Sequence, residues 1–294
     1  MKVLLLGSTG YLGSAISDRL VVAGHQVVAV VRQHGGGPGT RVADLASPST
    51  LRAAVTSDID AVVHAATPLG DWERERESVQ AMIEALGASD KAFIYLSGTW
   101  VLGAGPDPGD STRAYDETSP VRPIPLVAGR ETVEQLVRES PVTGVVVRPG
   151  IVHGRGGGIP AMLTAWAGKR GRGRYVGSAA TATWPMVHVN DLARLVEIAV
   201  TDALPGDLLH GIGQPAVPVA EIARAADVAA GGVGVAESWD LSDATTVLGL
   251  EFATALATSQ VVSTTRAVEL GWSPVHPDIV TDLVDGSYAV KQPA

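Results

Sequence analysis

A short apolar run, Lys2-Val3-Leu4-Leu5-Leu6, leads straight into Gly7-Ser8-Thr9-Gly10-Tyr11-Leu12-Gly13, and a helical pattern follows at once. Strand, glycine-rich turn and helix in that order constrain the fold more than any other feature of the chain. Gly7 allows the tight turn, Gly10 lets backbone approach a pyrophosphate, and Gly13 lets helix and strand pack closely. The helix N-terminus then offers free N–H groups to phosphates. The expectation is a dinucleotide site built from Gly7, Ser8, Thr9, Gly10, Tyr11, Leu12 and Gly13.

The alternation continues along the chain. Largely unbroken apolar runs predict strands at Lys2–Leu6, Gln26–Val31, Ala61–Ala65, Ala92–Ser97, Gly144–Arg148 and Leu208–Ile212. This is the pattern of strands covered on both faces. Helical patterns fall at Gly13–Ala23, Trp72–Leu86, Gly129–Glu139 and Asn190–Val200, the last opened by Asn190-Asp191 as a cap. The order predicts an α/β fold, a Rossmann-type doubly wound parallel sheet with a smaller C-terminal substrate lobe. Residues 1–153 and 186–212 are assigned to the dinucleotide-binding domain. The Gly- and Arg-rich stretch 154–185 and the weakly periodic stretch 213–294 are assigned to the lobe.

Composition excludes several classes. The 294 residues suffice for a substantial core. Hydrophobic residues make up 46%, charged residues 18%, and mean hydropathy is +0.20, which excludes a disordered or collagen-like chain. No apolar run reaches the roughly 18 residues of a membrane span. The first seven residues are too short for a signal-peptide core and run into glycines. With no cysteine there are no disulfides, thiolate metal sites or cysteine nucleophiles, which is compatible with the cytoplasmic location we expect. A net charge of −9 and a pI near 5.2 argue against nucleic acid as the main partner. Arginine outnumbers lysine and Ala and Gly abound, as in high-GC bacterial chains.

The second predicted strand ends in Val31-Arg32, about 20 residues beyond Gly13, where an acidic residue would bind a ribose 2′-hydroxyl. Arginine suits a 2′-phosphate, so NADP(H) is favoured over NAD(H). The bland alternative is an arginine exposed at a strand end. Asp44-Leu45 follows. Asp44 either accepts from an adenine amino group or caps the helix after Ser47.

Taken together the residues resemble the extended short-chain dehydrogenase/reductases, the NAD-dependent epimerase/dehydratase type, over nearly the whole chain. The matching runs are Gly7–Gly13, Asp44-Leu45, Val62-Val63-His64-Ala65-Ala66, Tyr95-Leu96-Ser97-Gly98-Thr99, Arg148-Pro149-Gly150-Ile151-Val152-His153-Gly154, Val187-His188-Val189-Asn190-Asp191-Leu192-Ala193 and Leu270-Gly271-Trp272-Ser273-Pro274. The resemblance implies that Ala65 and Ala66 pass under the adenosine ribose and pyrophosphate. It puts Ser97 at the catalytic serine/threonine position and Pro149 to Val152 at the nicotinamide carboxamide. His188 and Asn190 would fix the return of the chain to the cofactor domain.

One departure matters. The family carries Tyr-x-x-x-Lys, tyrosine as proton donor or acceptor and lysine on the nicotinamide ribose, four residues apart on one helical face. Anchoring on Glu134, the glutamate of the extended motif, puts Arg130 at the lysine position and Leu126 at the tyrosine position. Leucine moves no proton; arginine stays charged and can bind ribose hydroxyls. A shifted alignment would use Tyr115, but no lysine follows it at four.

The candidate catalytic residues are therefore Ser97, Thr99, Arg130 and His153, an imidazole that titrates near neutrality. Tyr11 either points toward the nicotinamide or packs in the turn. Ser97, Trp100, Tyr115, Leu126, Tyr175 and Trp184 are expected to wall the substrate pocket; Trp166 is another candidate wall. Lys169-Arg170-Gly171-Arg172-Gly173-Arg174 would attract an anionic substrate, close over cofactor phosphates, or be a solvated loop. Asp71–Glu77 reads as a solvated helix face. No histidine spacing or carboxylate cluster demands a metal. The expected function is an NADP(H)-dependent oxidoreductase acting on a small carbonyl, alcohol or conjugated substrate. The alternatives are an epimerase or dehydratase using the nucleotide transiently, or a redox-inactive NADP(H)-responsive binding protein. A homodimer would use the helices Trp72–Leu86 and Gly129–Glu139.

Overall fold

The computed structural model describes residues 1–32, 37, 39–66, 70–105, 114–177 and 182–289. The strands are β1 (Lys2–Leu6), β2 (Gln26–Val31), β3 (Thr40–Val42), β4 (Ala61–His64), β5 (Ala92–Leu96), β6 (Thr143–Pro149), β7 (Ile151–His153), β8 (Gly173–Val176), β9 (Thr183–His188), β10 (Leu208–Gly211), β11 (Gln214–Pro218) and β12 (Ala236–Trp239). The helices are α1 (Tyr11–Val22), α2 (Pro48–Ala54), α3 (Trp72–Leu86), α4 (Arg130–Arg138), α5 (Gly158–Arg170), α6 (Val189–Thr201), α7 (Val219–Ala229), α8 (Leu241–Leu248), α9 (Leu250–Ala257), α10 (Arg266–Glu269) and α11 (Ile279–Asp285).

Seven strands form one sheet in the order β10-β6-β5-β4-β1-β2-β3, and every pairing in it is parallel. Alternate side chains of each strand serve opposite faces. Val3 and Leu5 pack with Ile16 and Leu20 of α1 and Leu192 and Val196 of α6. Leu4 and Leu6 pack with Leu51 of α2, Met82 and Ile83 of α3, and Val133 and Val137 of α4. Both faces are thus buried, which is why the strands read as continuous apolar runs. The chain leaves β1 toward β2 on one side and returns through β4 on the other. That reversal opens a crevice at the carboxyl ends of the strands, where open α/β sheets bind ligands.

Beyond β6 the chain builds a three-stranded sheet, β11-β9-β7, and a two-stranded one, β12-β8. These short strands sit in glycine-, arginine- and proline-rich sequence and gave no periodic signal. The Arg-rich run does not line the crevice: Arg172 and Arg174 pair with Glu237, and Arg174 also covers the Trp239 ring. It is a structural tie between β8 and β12. The cap of α6 is also other than expected. His188 caps it, its Nδ1 accepting from the Asn190 N–H, while Asp191 is buried and accepts from the backbone of Val275 and His276. Among the described residues no helix is long and apolar enough to cross a membrane.

Candidate active site

The turn after β1 is shaped for close contact. Gly7 has φ +77°, and a Cβ there would lie 2.9 Å from the Ala66 nitrogen. A Cβ on Gly13 would come within 2.0 Å of the Gly7 oxygen. The N-cap of α1, Gly10, has no side chain to satisfy the first N–H groups, and no acidic residue stands in the first turn. Ala65 and Ala66 run directly beneath. Backbone, positive helix end and small residues together suit a dinucleotide pyrophosphate.

From this turn a cavity of about 260 Å³ runs along the carboxyl ends of β5 and β6. Tyr11, Leu12, Ser97, Thr99, Trp100, Arg130, Pro149 and Val152 all line it, with Gly98, Gly150, Ile151, Gly158 and Ile159. The guanidinium of Arg130 lies 4.9 Å from the centre of the Trp72 ring, which fixes it over α4's first turn. Its Nε is buried without a partner, an orphan that a ligand hydroxyl would satisfy. The residues present therefore fit a nicotinamide dinucleotide.

Ser97 ends β5 and is 8% exposed. Its hydroxyl donates to Glu134, which Arg148 holds in a buried ion pair. The same face of the sheet carries more polar groups at this level. His64 is in register with Tyr95, and Arg148 with His210. Opposite them stand Glu75 of α3 and Glu134 of α4, so a thin polar layer separates the crevice from the apolar packing below. Burial pushes the Glu75 carboxyl up to about 8 and the His64 imidazole down to about 4, and lifts the Tyr95 phenol. Six buried polar atoms here, on His64, Glu75, Tyr95 and Arg130, have no hydrogen-bond partner.

The loop after β5 is held by a residue that sequence reasoning passed over. Gln260, buried, donates to the carbonyls of Thr99 and Gly103 at 2.8 and 2.7 Å. The roof of the cavity is tied down in a similar way. Tyr11 lines the cavity while its hydroxyl donates to the Gly154 carbonyl at 2.9 Å. Tyr288 accepts from the Gly154 N–H and donates to the Gly157 carbonyl, both at 2.7 Å. Ser287 accepts from the Gly156 N–H, and Asp282 accepts from Ser287.

Several expected residues stand elsewhere. His153 is 2% exposed and bonds Asp282 at 3.0 Å. It faces a separate cavity with His188 and His276, so it is an anchor for α11 and not an acid at the crevice. Leu126 packs beside Trp72, Trp100 and Phe252 and does not line the crevice. Tyr115 bonds the Ala104 carbonyl in the same cluster. Trp184, Tyr175 and Trp166 belong to the apolar core around β8 and β9. Of the expected pocket walls, Ser97 and Trp100 reach the cavity. Arg32 is exposed just beyond β2, and its neighbours 33–36 lie outside the described residues. Asp44 is exposed and accepts from the Ala46 N–H; it makes a turn and leaves the cap of α2 to Ser47. Leu45 is half-buried, its carbonyl accepting from Ser78.

His188, Asp191 and His276 bring potential ligand atoms within 4.8 Å of one another. The two imidazoles, however, are stacked at 4.3 Å with planes 3° apart, and their in-plane lone pairs do not converge.

Comparison with known proteins agrees with this geometry. An uncharacterized Schizosaccharomyces pombe protein, C2A9.02, is 27% identical over 308 residues, covering 98% of this chain and all of that one. The dTDP-6-deoxy-L-talose 4-dehydrogenase (NAD(P)(+)) of Kitasatospora kifunensis is 30% identical over 75% of this chain and 73% of its own. Among solved structures, human epimerase family protein SDR39U1 with NADPH superposes with a TM-score of 0.80 at 24% identity, covering 99% of this chain and 100% of that one. Residues 3–208 match the NAD dependent epimerase/dehydratase family. With the glycine turn, the parallel sheet and the crevice at its carboxyl edge, the chain belongs to that family.

Proposed function

We propose that the protein is an NADP(H)-dependent oxidoreductase that interconverts a small organic alcohol and its carbonyl. The observation that carries this reading is one cavity lined at once by the glycine turn, Ser97, Arg130 and the Pro149–Val152 segment. The bound dinucleotide would supply hydride chemistry. The chain's own residues have separable tasks. The Gly7–Gly13 turn and the start of α1 hold the phosphates, and Arg32 receives a 2′-phosphate. Arg130 takes ribose hydroxyls, and Ser97 meets the reacting oxygen. Tyr11, which also lines the cavity, commits its hydroxyl proton to the Gly154 carbonyl, so the proton handling falls to Ser97. A dehydrogenase relative named for NAD(P)(+) favours this over a redox-silent role, and a fold neighbour crystallised with NADPH supports the choice of dinucleotide.

The test is titration with NADPH and NADH followed by nicotinamide absorbance during single turnovers with primary and secondary alcohols, aldehydes and ketones. A net absorbance change with tighter NADPH binding is the expected result. Binding with no net change for any of them would sink the oxidoreductase reading.

A further inference from the structure

The Ser97 hydroxyl spends its one proton inward, on Glu134 Oε1. Arg148 Nε holds that carboxylate at 3.0 and 3.1 Å, and its Nη2 bonds it as well. Glu134 and Arg148 are 3% and 2% exposed, so the arrangement is held in place by its surroundings. A hydroxyl has one proton and two lone pairs. Ser97 therefore presents only lone pairs to the crevice. A carbonyl oxygen seated there would meet lone pair against lone pair, whereas a hydroxyl would find an acceptor. On the far side, Glu134 and Arg148 also line a second cavity, of about 410 Å³, with Glu131, Arg138 and Glu139 around it. The Ser97–Glu134 hydrogen bond thus joins the two cavities.

We propose that Glu134 fixes Ser97 as a hydrogen-bond acceptor, so that the site selects the alcohol form of its substrate and passes the alcohol's proton through Ser97 and Glu134 to the second cavity. This rests on the oxidoreductase reading above. The carbinol C–H bond breaks with hydride going to an oxidised nicotinamide dinucleotide. The O–H bond breaks with its proton going to Ser97 Oγ as Ser97's own proton goes to Glu134. The C=O bond forms, and Glu134 gives the proton to water in the second cavity. Glu134 acts through Ser97 and is a positioning residue.

Dead-end complexes test this without turnover: benzyl alcohol with NADPH and benzaldehyde with NADP+, titrated by protein-observed NMR. In the unmodified protein the alcohol should bind about tenfold more tightly than the aldehyde, the worth of one hydrogen bond. Ser97→Ala should erase the difference, weakening the alcohol by the lost hydrogen bond and sparing the aldehyde the lone-pair repulsion. In Glu134→Gln, Arg148 can only donate and so takes the amide oxygen, which turns the NH2 toward Ser97. Ser97's proton is then free, and the preference should swing toward the aldehyde; Glu134→Asp, which keeps the acceptor, should retain the alcohol preference. If Glu134→Gln alone fails to bind NADPH, the double variant Glu134→Leu with Arg148→Met removes both buried charges and the acceptor of Ser97's proton, and is read instead. Equal affinities, an aldehyde preference in the unmodified protein, a preference that survives Ser97→Ala, or no binding of either probe beside the cofactor would each overturn the proposal. An alcohol preference with no net nicotinamide absorbance change for any alcohol, aldehyde or ketone tried would sustain the acceptor role of Ser97 and sink the oxidoreductase reading instead.

Discussion

Glu75 Oε1 stands 3.6 Å from His64 Nε2, and both side chains are fully buried. Burial moves the two in opposite directions, the acid up to about 8 and the imidazole down to about 4, so the pair is neutral in the folded protein at neutral pH. Between 4.5 and 8 folded Glu75 holds a proton that the unfolded chain releases, and its contribution to stability falls as pH rises. Between 4 and 6.5 folded His64 lacks a proton that the unfolded chain holds, and its contribution rises with pH.

The two slopes oppose each other below pH 6.5, and Glu75 acts alone from there to about 8. One proton corresponds to about 1.4 kcal/mol per pH unit, so stability should fall by up to about 2 kcal/mol across that window. Glu75→Gln should flatten the decline. Urea unfolding at both ends of the window measures it, and an unchanged slope in the variant would show that Glu75 does not titrate there.

Arg32 should make NADPH bind more tightly than NADH. A charge-assisted contact to phosphate contributes about 1.5–3 kcal/mol, or roughly ten- to a hundredfold. Arg32→Asp should reverse or level the preference, because a carboxylate repels the 2′-phosphate and accepts from a 2′-hydroxyl. Calorimetric titration with both cofactors decides it; equal affinities in the unmodified protein would defeat the assignment.

Ser97→Ala should leave NADPH affinity nearly unchanged, since phosphates and adenosine are held elsewhere. Turnover should fall by about 100- to 1000-fold, the usual loss for one positioned polar group at the reacting oxygen. A loss within about twofold would make Ser97 structural, and Thr99 the next residue to examine.

Arg148→Met leaves Glu134 as an unpaired buried charge and should cost about 3–5 kcal/mol. Adding Glu134→Leu should recover most of that loss, because replacing both charges with apolar groups is close to neutral. Thermal unfolding of the two variants side by side tests the pair. Equal stability of single and double variants would mean that Arg148 does not neutralise Glu134.

What could be read in advance follows the reach of each signal. The turn from Gly7 to Gly13 and the strands β1, β2, β4, β5 and β6 are written locally, in consecutive apolar residues and glycines. Glu75 was hidden because its neighbours in sequence, Glu73, Arg74, Arg76 and Glu77, are solvent-facing. The helix turns that one carboxylate toward His64 and Tyr95, which come from other strands. His153 misled for the same reason. Its partner Asp282 lies 129 residues downstream, and no spacing rule announces a bond across that distance. Leu126 sits on a short 3-10 turn, Pro125–Val127, and not on the helix that the four-residue spacing presumes.

The anchors Ser287 and Tyr288 have a consequence for how the molecule is made. The glycine turn leaves the ribosome well before the loop from Gly154 to Gly157 that closes over it, and that loop is held by residues emerging more than a hundred positions later still. A nascent chain can lay down the seven-stranded sheet long before those anchors exist. Closure of that loop over the glycine turn is therefore a late event in the life of each molecule, available once Ser287 and Tyr288 have docked on Gly154, Gly156 and Gly157.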